Sequence, residues 1–475
     1  MKIAFGTEGW RGVMAETFTT ENVRKVSQAI AEHFRETAST PGQRLAIAVG
    51  YDTRFLSDRF AKAICEVLAA NGLKSLLSDR AVPTCAVSRA VVEHHLAGGI
   101  IVTASHNPAF YNGIKVKERF GGSATSETVA SIEQRIGRHP VQQHAFDEAV
   151  RQGLIQPMKM LPAFLNGIRA CVDLPMIRRS RLRVVADPMH GAADSLMANL
   201  LAGGRCRVET IHAQPDPLFG GHAPEPIPAH LGELAKMLKR RRWDVGLATD
   251  GDADRLGVVA PNGTFLNPGQ VLCILLEHLI ASRRWRGAVV KSISNTSMID
   301  RLARGLGLRL LEVPVGFKHI AKLMLEDDVL IGGEESGGIG IRGYLPERDG
   351  LLMGLLVLEA MAAQGRRLVD ILRRLERRFG RWFYARRDLA VSQDRVAKFF
   401  EQLRAQPPAR VAGVPVAEVK TLDGIKLIGR DESWLLFRRS GTEPIVRVYA
   451  ESPVDLRRVT RLLDFGIHLI HAAGS

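Results

Sequence analysis

Short apolar runs that end directly in polar loops recur along this chain, with helically spaced segments between them. Residues 45–49 form one such run, which stops at Gly50. Before it, residues 21–37 place Val23, Val26, Ile30 and Phe34 at helical spacing, with Thr19 and Thr20 available as N-caps. After it, residues 59–70 read as a helix that Asn71-Gly72 stops. Residues 99–102 are the next run. An apolar run without polar alternation reads as a strand covered on both faces. Strands of this kind alternating with amphipathic helices specify an α/β fold with a parallel or mixed sheet. The pattern restarts twice. Residues 182–186 and 245–248 read as strands around a helix-like 192–201, and a third round begins near Val271 with strands at 287–291 and 329–331. The end of the chain differs: 434–437 and 445–450 are strand-like around a glycine turn, and 454–470 is a terminal helix, an α+β pattern. A length of 475 residues suits about three or four domains. Residues 38–43 and 140–156 read as linkers or surface loops.

Composition narrows the functional classes. The longest apolar stretch, 351–358, ends at Glu359, well short of the ~18–20 residues a membrane span needs. Residues 1–12 reach Glu8 and Arg11 too soon for a signal-peptide core. A soluble, cytoplasmic protein with no membrane partner is expected. The five cysteines (Cys65, Cys85, Cys171, Cys206 and Cys273) contain no C-x-x-C pair, which argues against a disulfide framework or a zinc site. The net charge is +15, which points either to nucleic acid or to small anions such as phosphates. The basic run 239–242 closes a helix-like stretch, and Arg373, Arg374, Arg377 and Arg378 fall on a solvated helix face. Aromatic residues make up only 6% and do not interleave with basic ones as in single-strand binders, so no nucleic-acid partner is expected.

Four segments carry chemistry. In Thr103-Ala104-Ser105-His106-Asn107-Pro108, Ser105 stands just beyond a buried strand, placed like a nucleophile, with His106 beside it to move a proton or bind an anion. A strand-to-helix loop with capping residues is the alternative. In Asp250-Gly251-Asp252-Ala253-Asp254-Arg255, three carboxylates in a turn can converge on one cation, and oxygen-only ligands suit Mg²⁺ or Ca²⁺. An EF-hand fails, because Arg255 and Pro261 stand where glycine and glutamate are required. An Asp/Gly surface turn would leave three close acids repelling one another. In Gly332-Gly333-Glu334-Glu335-Ser336-Gly337-Gly338, acids and a serine on a glycine loop can hydrogen-bond sugar hydroxyls. The adjoining residues 338–343 match G-x-G-x-x-G by letter but lead into Tyr344-Leu345-Pro346 and not a helix, so they are no dinucleotide fingerprint. In Arg438-Arg439-Ser440-Gly441-Thr442-Glu443-Pro444, with Arg447 following, guanidiniums, hydroxyls and turn N–H groups make a phosphate grip or a hairpin turn with solvated arginines.

Taken together and in this order, the four motifs resemble those of the α-D-phosphohexomutases, the phosphoglucomutase/phosphomannomutase family, from Phe5 to Glu451. The resemblance implies four domains around a central cleft, with expected boundaries 1–150, 151–260, 261–375 and 376–475. The first three would be related α/β domains and the last an α+β domain. The family's phosphoserine falls on Ser105, and its Mg²⁺ ligands on that phosphoserine with Asp250, Asp252 and Asp254. Arg11 matches the N-terminal arginine. Lys115 matches a lysine proposed for proton transfer, a role that would need its pKa lowered, and His106 is the other proton-transfer candidate. Arg255, Lys291, Gly316, Lys318, Glu334, Ser336, Arg438, Ser440, Gly441, Thr442 and Arg447 fall on substrate-binding positions. The implied activity interconverts hexose 1-phosphate and hexose 6-phosphate, glucose or mannose, through a hexose 1,6-bisphosphate, with glucose 1,6-bisphosphate as activator. The partners would be sugar phosphates, in a monomer or homodimer. Phosphoglucosamine mutase is the runner-up, and a phosphosugar hydrolase that admits water is the alternative from another class. Two positions depart from the pattern. Gly338 stands where many members have histidine, and Arg439 stands where proline is common, either adding charge to the grip or pointing to solvent.

Overall fold

In a computed structural model the described residues are 3–6, 8–37, 45–240, 242–439 and 445–472. The segment 38–43, read as a linker, lies outside them.

The first three sheets share one four-strand plan. In the first, Lys74–Ser78, Ala46–Tyr51 and Gly98–Val102 pair in parallel, and Tyr111–Glu118 returns antiparallel to the last. In the second, Arg207–Thr210, Arg183–Asp187 and Val245–Thr249 are parallel, and Leu256–Val259 returns antiparallel. In the third, the same places are taken by Leu310–Val313, Ala288–Ser292 and Val329–Gly333, with Ile339–Ile341 returning. The three central motif loops, 103–110, 250–255 and 334–338, are therefore one topological position used three times. Each leaves the carboxyl end of a buried parallel strand, the end where open α/β sheets bind ligands. The chain shows no matching repeat of letters, because the buried strands need only be apolar and each loop carries different chemistry. The fourth sheet is antiparallel, with Trp434–Arg439 and Ile445–Ser452 at its centre, flanked by helices Gln393–Ala405 and Leu456–Ala472.

One sequence expectation is corrected and one alternative fails. Residues 140–156 are not simply a linker. They contain helix Phe146–Arg151 and lead into strand Ile155–Met158, which pairs with Lys74–Ser78, so the first sheet reaches beyond residue 150. The loop after Gly98–Val102 leads to a strand, not a helix.

One apolar core runs through the first three units, including Ile101, Leu247, Leu272 and Leu355, and the first unit has a second around Val26, Ile47, Ile64 and Ile100. Helix Gly350–Gln364 is buried over its first three turns and apolar on all sides, as a central helix must be. The fourth unit has its own core, around Phe399, Leu427, Phe437 and Leu462. It meets the third through Ile293 packed on Trp434, Leu436 and Tyr449, and through polar contacts. Among these, Lys426 donates to Ile293 O at 2.7 Å and Glu451 accepts from Ser297 N at 2.8 Å. All five cysteines are buried and free, and among the described residues no helix is long and apolar enough to cross a membrane.

His212 ties down the second unit's surface. Its ring bonds Asp187 at 3.0 Å and Glu233 at 3.2 Å, and these acids, Asp187 first, raise its pKa to about 9 against partial burial. The folded-state value lies above the ordinary one, so this stabilisation is complete below about pH 6.5 and is lost as pH rises through about 9. His212→Asn is expected to lower thermal stability at about pH 6, by about 1 kcal/mol after solvent screening, and to have no effect at about pH 10. Asparagine suits the left-handed backbone at this position (φ 49°).

Candidate active site

Ser105 sits in a backbone that its surroundings force. Its φ is +53°, left-handed and uncommon for a residue with a Cβ. The Thr103 hydroxyl accepts from Ser105 N at 2.8 Å. Arg54, wholly buried, holds the rest of the loop. It donates to Ser105 O and Asn107 O at 2.6 Å each, to Pro108 O at 2.8 Å and to Tyr111 O at 3.1 Å, and it pairs with Asp52 at 3.3 Å. The Ser105 hydroxyl is buried and donates to Asp250 Oδ2 at 2.7 Å, while His106, Asn107 and Pro108 line the cleft beside it. This contact needs Gly251, where a Cβ would lie 2.7 Å from Ser105 O.

Asp250, Asp252 and Asp254 converge, each offering an oxygen within 4.8 Å of the others, all buried. Burial, then the two neighbouring acids, pushes the Asp250 carboxyl well up. Burial would also raise Asp254, but Arg348 and Lys115 hold it well below the usual range. Asp252 Oδ1 and Asp254 Oδ1 are buried with no hydrogen-bond partner in the described structure. A compact set of hard oxygen donors with two unsatisfied atoms fits a divalent cation such as Mg²⁺.

A cleft of about 340 Å³ opens above these groups, at the small end of small-molecule sites. It gathers Arg11, His106, Arg255, Gly316, Glu334, Ser336, Arg438 and Arg447, contributed by all four units. Arg11 bonds Asn107 Oδ1 at 2.5 Å. Arg438 and Arg447 are register partners on neighbouring strands, and Arg438 is aimed by Asp423, which also accepts from Val315 N at 2.8 Å. These arginines are thus cleft groups on a hairpin, not solvated turn residues. Arg439 lines the cleft while stacking on Phe400 at 4.8 Å. Burial raises Glu334 to about 7, opposed by Arg348. Burial, then Arg255 and Arg11, pushes His106 well below its ordinary pKa, so its imidazole is neutral.

Several predicted residues fall elsewhere. Lys115 lies beneath the cleft, donating to Asp252 and Asp254 at 2.6 Å each. Burial would lower its pKa, but these carboxylates and Glu8 raise it, so here it is a cation and not a poised base. Lys291 is buried in its strand, paired with Asp300 and 3.7 Å from Glu312, outside the cleft lining. Lys318 also lies outside that lining and donates to Ser126 Oγ of the first unit at 3.1 Å. Ser440, Gly441 and Thr442 lie outside the described residues. Sequence reasoning missed Arg54, Arg348 and Arg386, the last facing the cleft beside Asp388. Arg54 stands three residues beyond the end of strand Ala46–Tyr51, and nothing local distinguishes it from a solvated loop arginine.

Models of the phosphoglucomutase/phosphomannomutase family match the chain in order: α/β/α domain I over residues 2–142, domain II over 162–263, domain III over 267–379 and the C-terminal domain over 392–466. The chain belongs to this family. A Thermococcus kodakarensis phosphoglucomutase/phosphomannomutase is 29% identical, over 99% of this chain and 98% of its own. A Sulfurisphaera tokodaii phosphoglucosamine/phosphogalactosamine mutase is also 29% identical, over 94% and 95%. The crystal structure of a candidate phosphomannomutase from Thermus thermophilus superposes with a TM-score of 0.86 at 36% identity, covering 99% of both chains. Phosphohexomutase family membership accounts for the four-unit plan, with mixed sheets in three domains and a sheet-rich fourth.

Proposed function

We propose that the chain is a Mg²⁺-dependent mutase that interconverts hexose 1-phosphates and hexose 6-phosphates, glucose or mannose, through a phosphoserine at Ser105. The observation that carries this reading is the Ser105 hydroxyl bonded at 2.7 Å to Asp250 of the buried acid triad, beneath an arginine-lined cleft. The phosphorylated serine gives its phosphoryl group to the free hydroxyl of a bound hexose monophosphate. The bond from phosphorus to Ser105 Oγ breaks and one to the sugar oxygen forms. The bisphosphate turns over, and its other phosphoryl group returns to Ser105 Oγ. Asp250, Asp252 and Asp254 would hold Mg²⁺, which when bound offsets negative charge on the transferring group. The hydroxyl proton needs an acceptor, and the neutral His106 imidazole, 3.4 Å from Ser105 Oγ, suits that role. Lys115, a cation here, suits charge stabilisation. Glu334 and Ser336 accept and donate to sugar hydroxyls, while Arg438 and Arg447 grip the phosphate that is not reacting.

The test is a mutase assay with Mg²⁺ and a trace of glucose 1,6-bisphosphate, offering the 1-phosphates of glucose, mannose and glucosamine separately. Glucosamine is included because the Sulfurisphaera tokodaii relative carries an amino-sugar name. Formation of a 6-phosphate from glucose or mannose is expected, and the ratio of kcat/KM values names the sugar. Release of inorganic phosphate without isomer would overturn the mutase reading in favour of hydrolysis.

A further inference from the structure

We propose that Arg348 is the positioning residue for the sugar-binding carboxylate Glu334, and that position 338 is glycine to admit it. This rests on the mutase reading above. Arg348 lies just before helix Gly350–Gln364 with 2% of its surface exposed. Its guanidinium meets carboxylates from three separate segments: Glu8, Asp254 at 2.8 Å and Glu334 Oε2 at 3.1 Å. The other oxygen of Glu334 accepts from Gly316 N at 2.9 Å. Both oxygens are thus held from behind, and their remaining lone pairs are left for the cleft that Glu334 lines. The same guanidinium contacts a member of the acid triad, so the sugar grip is registered to the site of phosphoryl transfer.

Gly338 completes the arrangement. A Cβ there would lie 2.5 Å from Arg348 Cδ, closer than atoms in contact allow. Any side chain at 338, histidine included, would displace the arginine stem. With no side chain on the sugar loop at 338, the space is filled by one that enters from the loop before the next helix. A planar fork is required, because one group must serve Asp254 and Glu334 in different directions, which an ammonium on a flexible stem does less well.

The experiment measures kcat, KM and thermal stability for Arg348→Lys and Gly338→Ala. It also measures glucose 6-phosphate and mannose 6-phosphate binding by calorimetry in a Ser105→Ala background, where no transfer occurs. Both substitutions are expected to raise KM and weaken binding about tenfold while kcat changes less than about threefold. Gly338→Ala removes no donor, so a purely structural role for Arg348 does not predict that split. In an Arg348→Ala background the stem is gone, and Gly338→Ala should add nothing further. Should Arg348→Ala not fold, the two single variants still decide. Unchanged KM and binding in both, with an active wild type, would overturn the proposal and leave the mutase reading standing. A wild type that turns over no hexose phosphate would fail the mutase reading, with the calorimetric series still reporting on Arg348. Absence of binding of both glucose 6-phosphate and mannose 6-phosphate throughout would remove both.

Discussion

Replacing Ser105 with alanine is expected to lower turnover of glucose 1-phosphate by about 10⁴-fold or more, because the proposed mechanism carries the phosphoryl group on that serine. The fold should survive. The left-handed turn at 105 is imposed by Arg54, whose four bonds go to backbone carbonyls and do not depend on the serine side chain. What is removed is the hydrogen bond to Asp250 Oδ2 and the long contact to His106 Nδ1, a loss of about 1 kcal/mol. The paired measurement is ³²P retention after incubation with labelled glucose 1,6-bisphosphate, which wild type should show and Ser105→Ala should not. Turnover within about tenfold of wild type in the alanine variant would sink the phosphoserine mechanism.

The second large effect is at Asp250. Millimolar Mg²⁺ is expected to raise the Tm of the wild-type protein, and Asp250→Asn is expected to abolish that rise and to reduce activity by about 10³-fold. An amide can still accept from Asp254 N and Arg255 N, which bond Asp250 Oδ1 at 3.0 Å each, so the turn itself is kept. One charge of three is lost, and with it much of the attraction for a divalent ion. Without metal the sign reverses. The three buried carboxylates repel one another, so in chelator the asparagine variant should be at least as stable as wild type. Mg²⁺ binding as tight in Asp250→Asn as in wild type would exclude the triad as the metal site.

The features that could be read in advance are those encoded locally. A buried strand announces itself by an unbroken apolar run. The loop after it announces chemistry when polar residues crowd the strand end, as at Ser105, Asp250 and Glu334. Groups that act through long-range geometry could not be found this way. Arg348 is one of many arginines in a basic chain, and nothing near it indicates that its partners are Glu8, Asp254 and Glu334. Arg54 looks like a solvated loop residue until the carbonyls of 105–111 are seen around it. Lys291 shows the converse. Its motif position suggested the cleft, but the strand that carries it turns the ammonium toward Asp300 and Glu312. The sense of the change at Gly338 emerges only from the atom that fills the space beside it.

One apolar core spans three of the four units, and this makes the chain unevenly tolerant of change. Leu355 or Leu272 belongs at once to the apolar interior beneath the loops that carry Ser105, the acid triad and Glu334, so a lesion there disturbs all three loops. A lesion at Phe437 or Leu462 is confined to the fourth unit and the arginines it presents. On the proposed mechanism, substitutions in the shared core should therefore cost catalysis as a whole, whereas those in the fourth unit's core should chiefly weaken the grip on the phosphate that is not reacting. The interior of the fourth unit is therefore the part of the molecule freest to change without disturbing Ser105, the acid triad or Glu334.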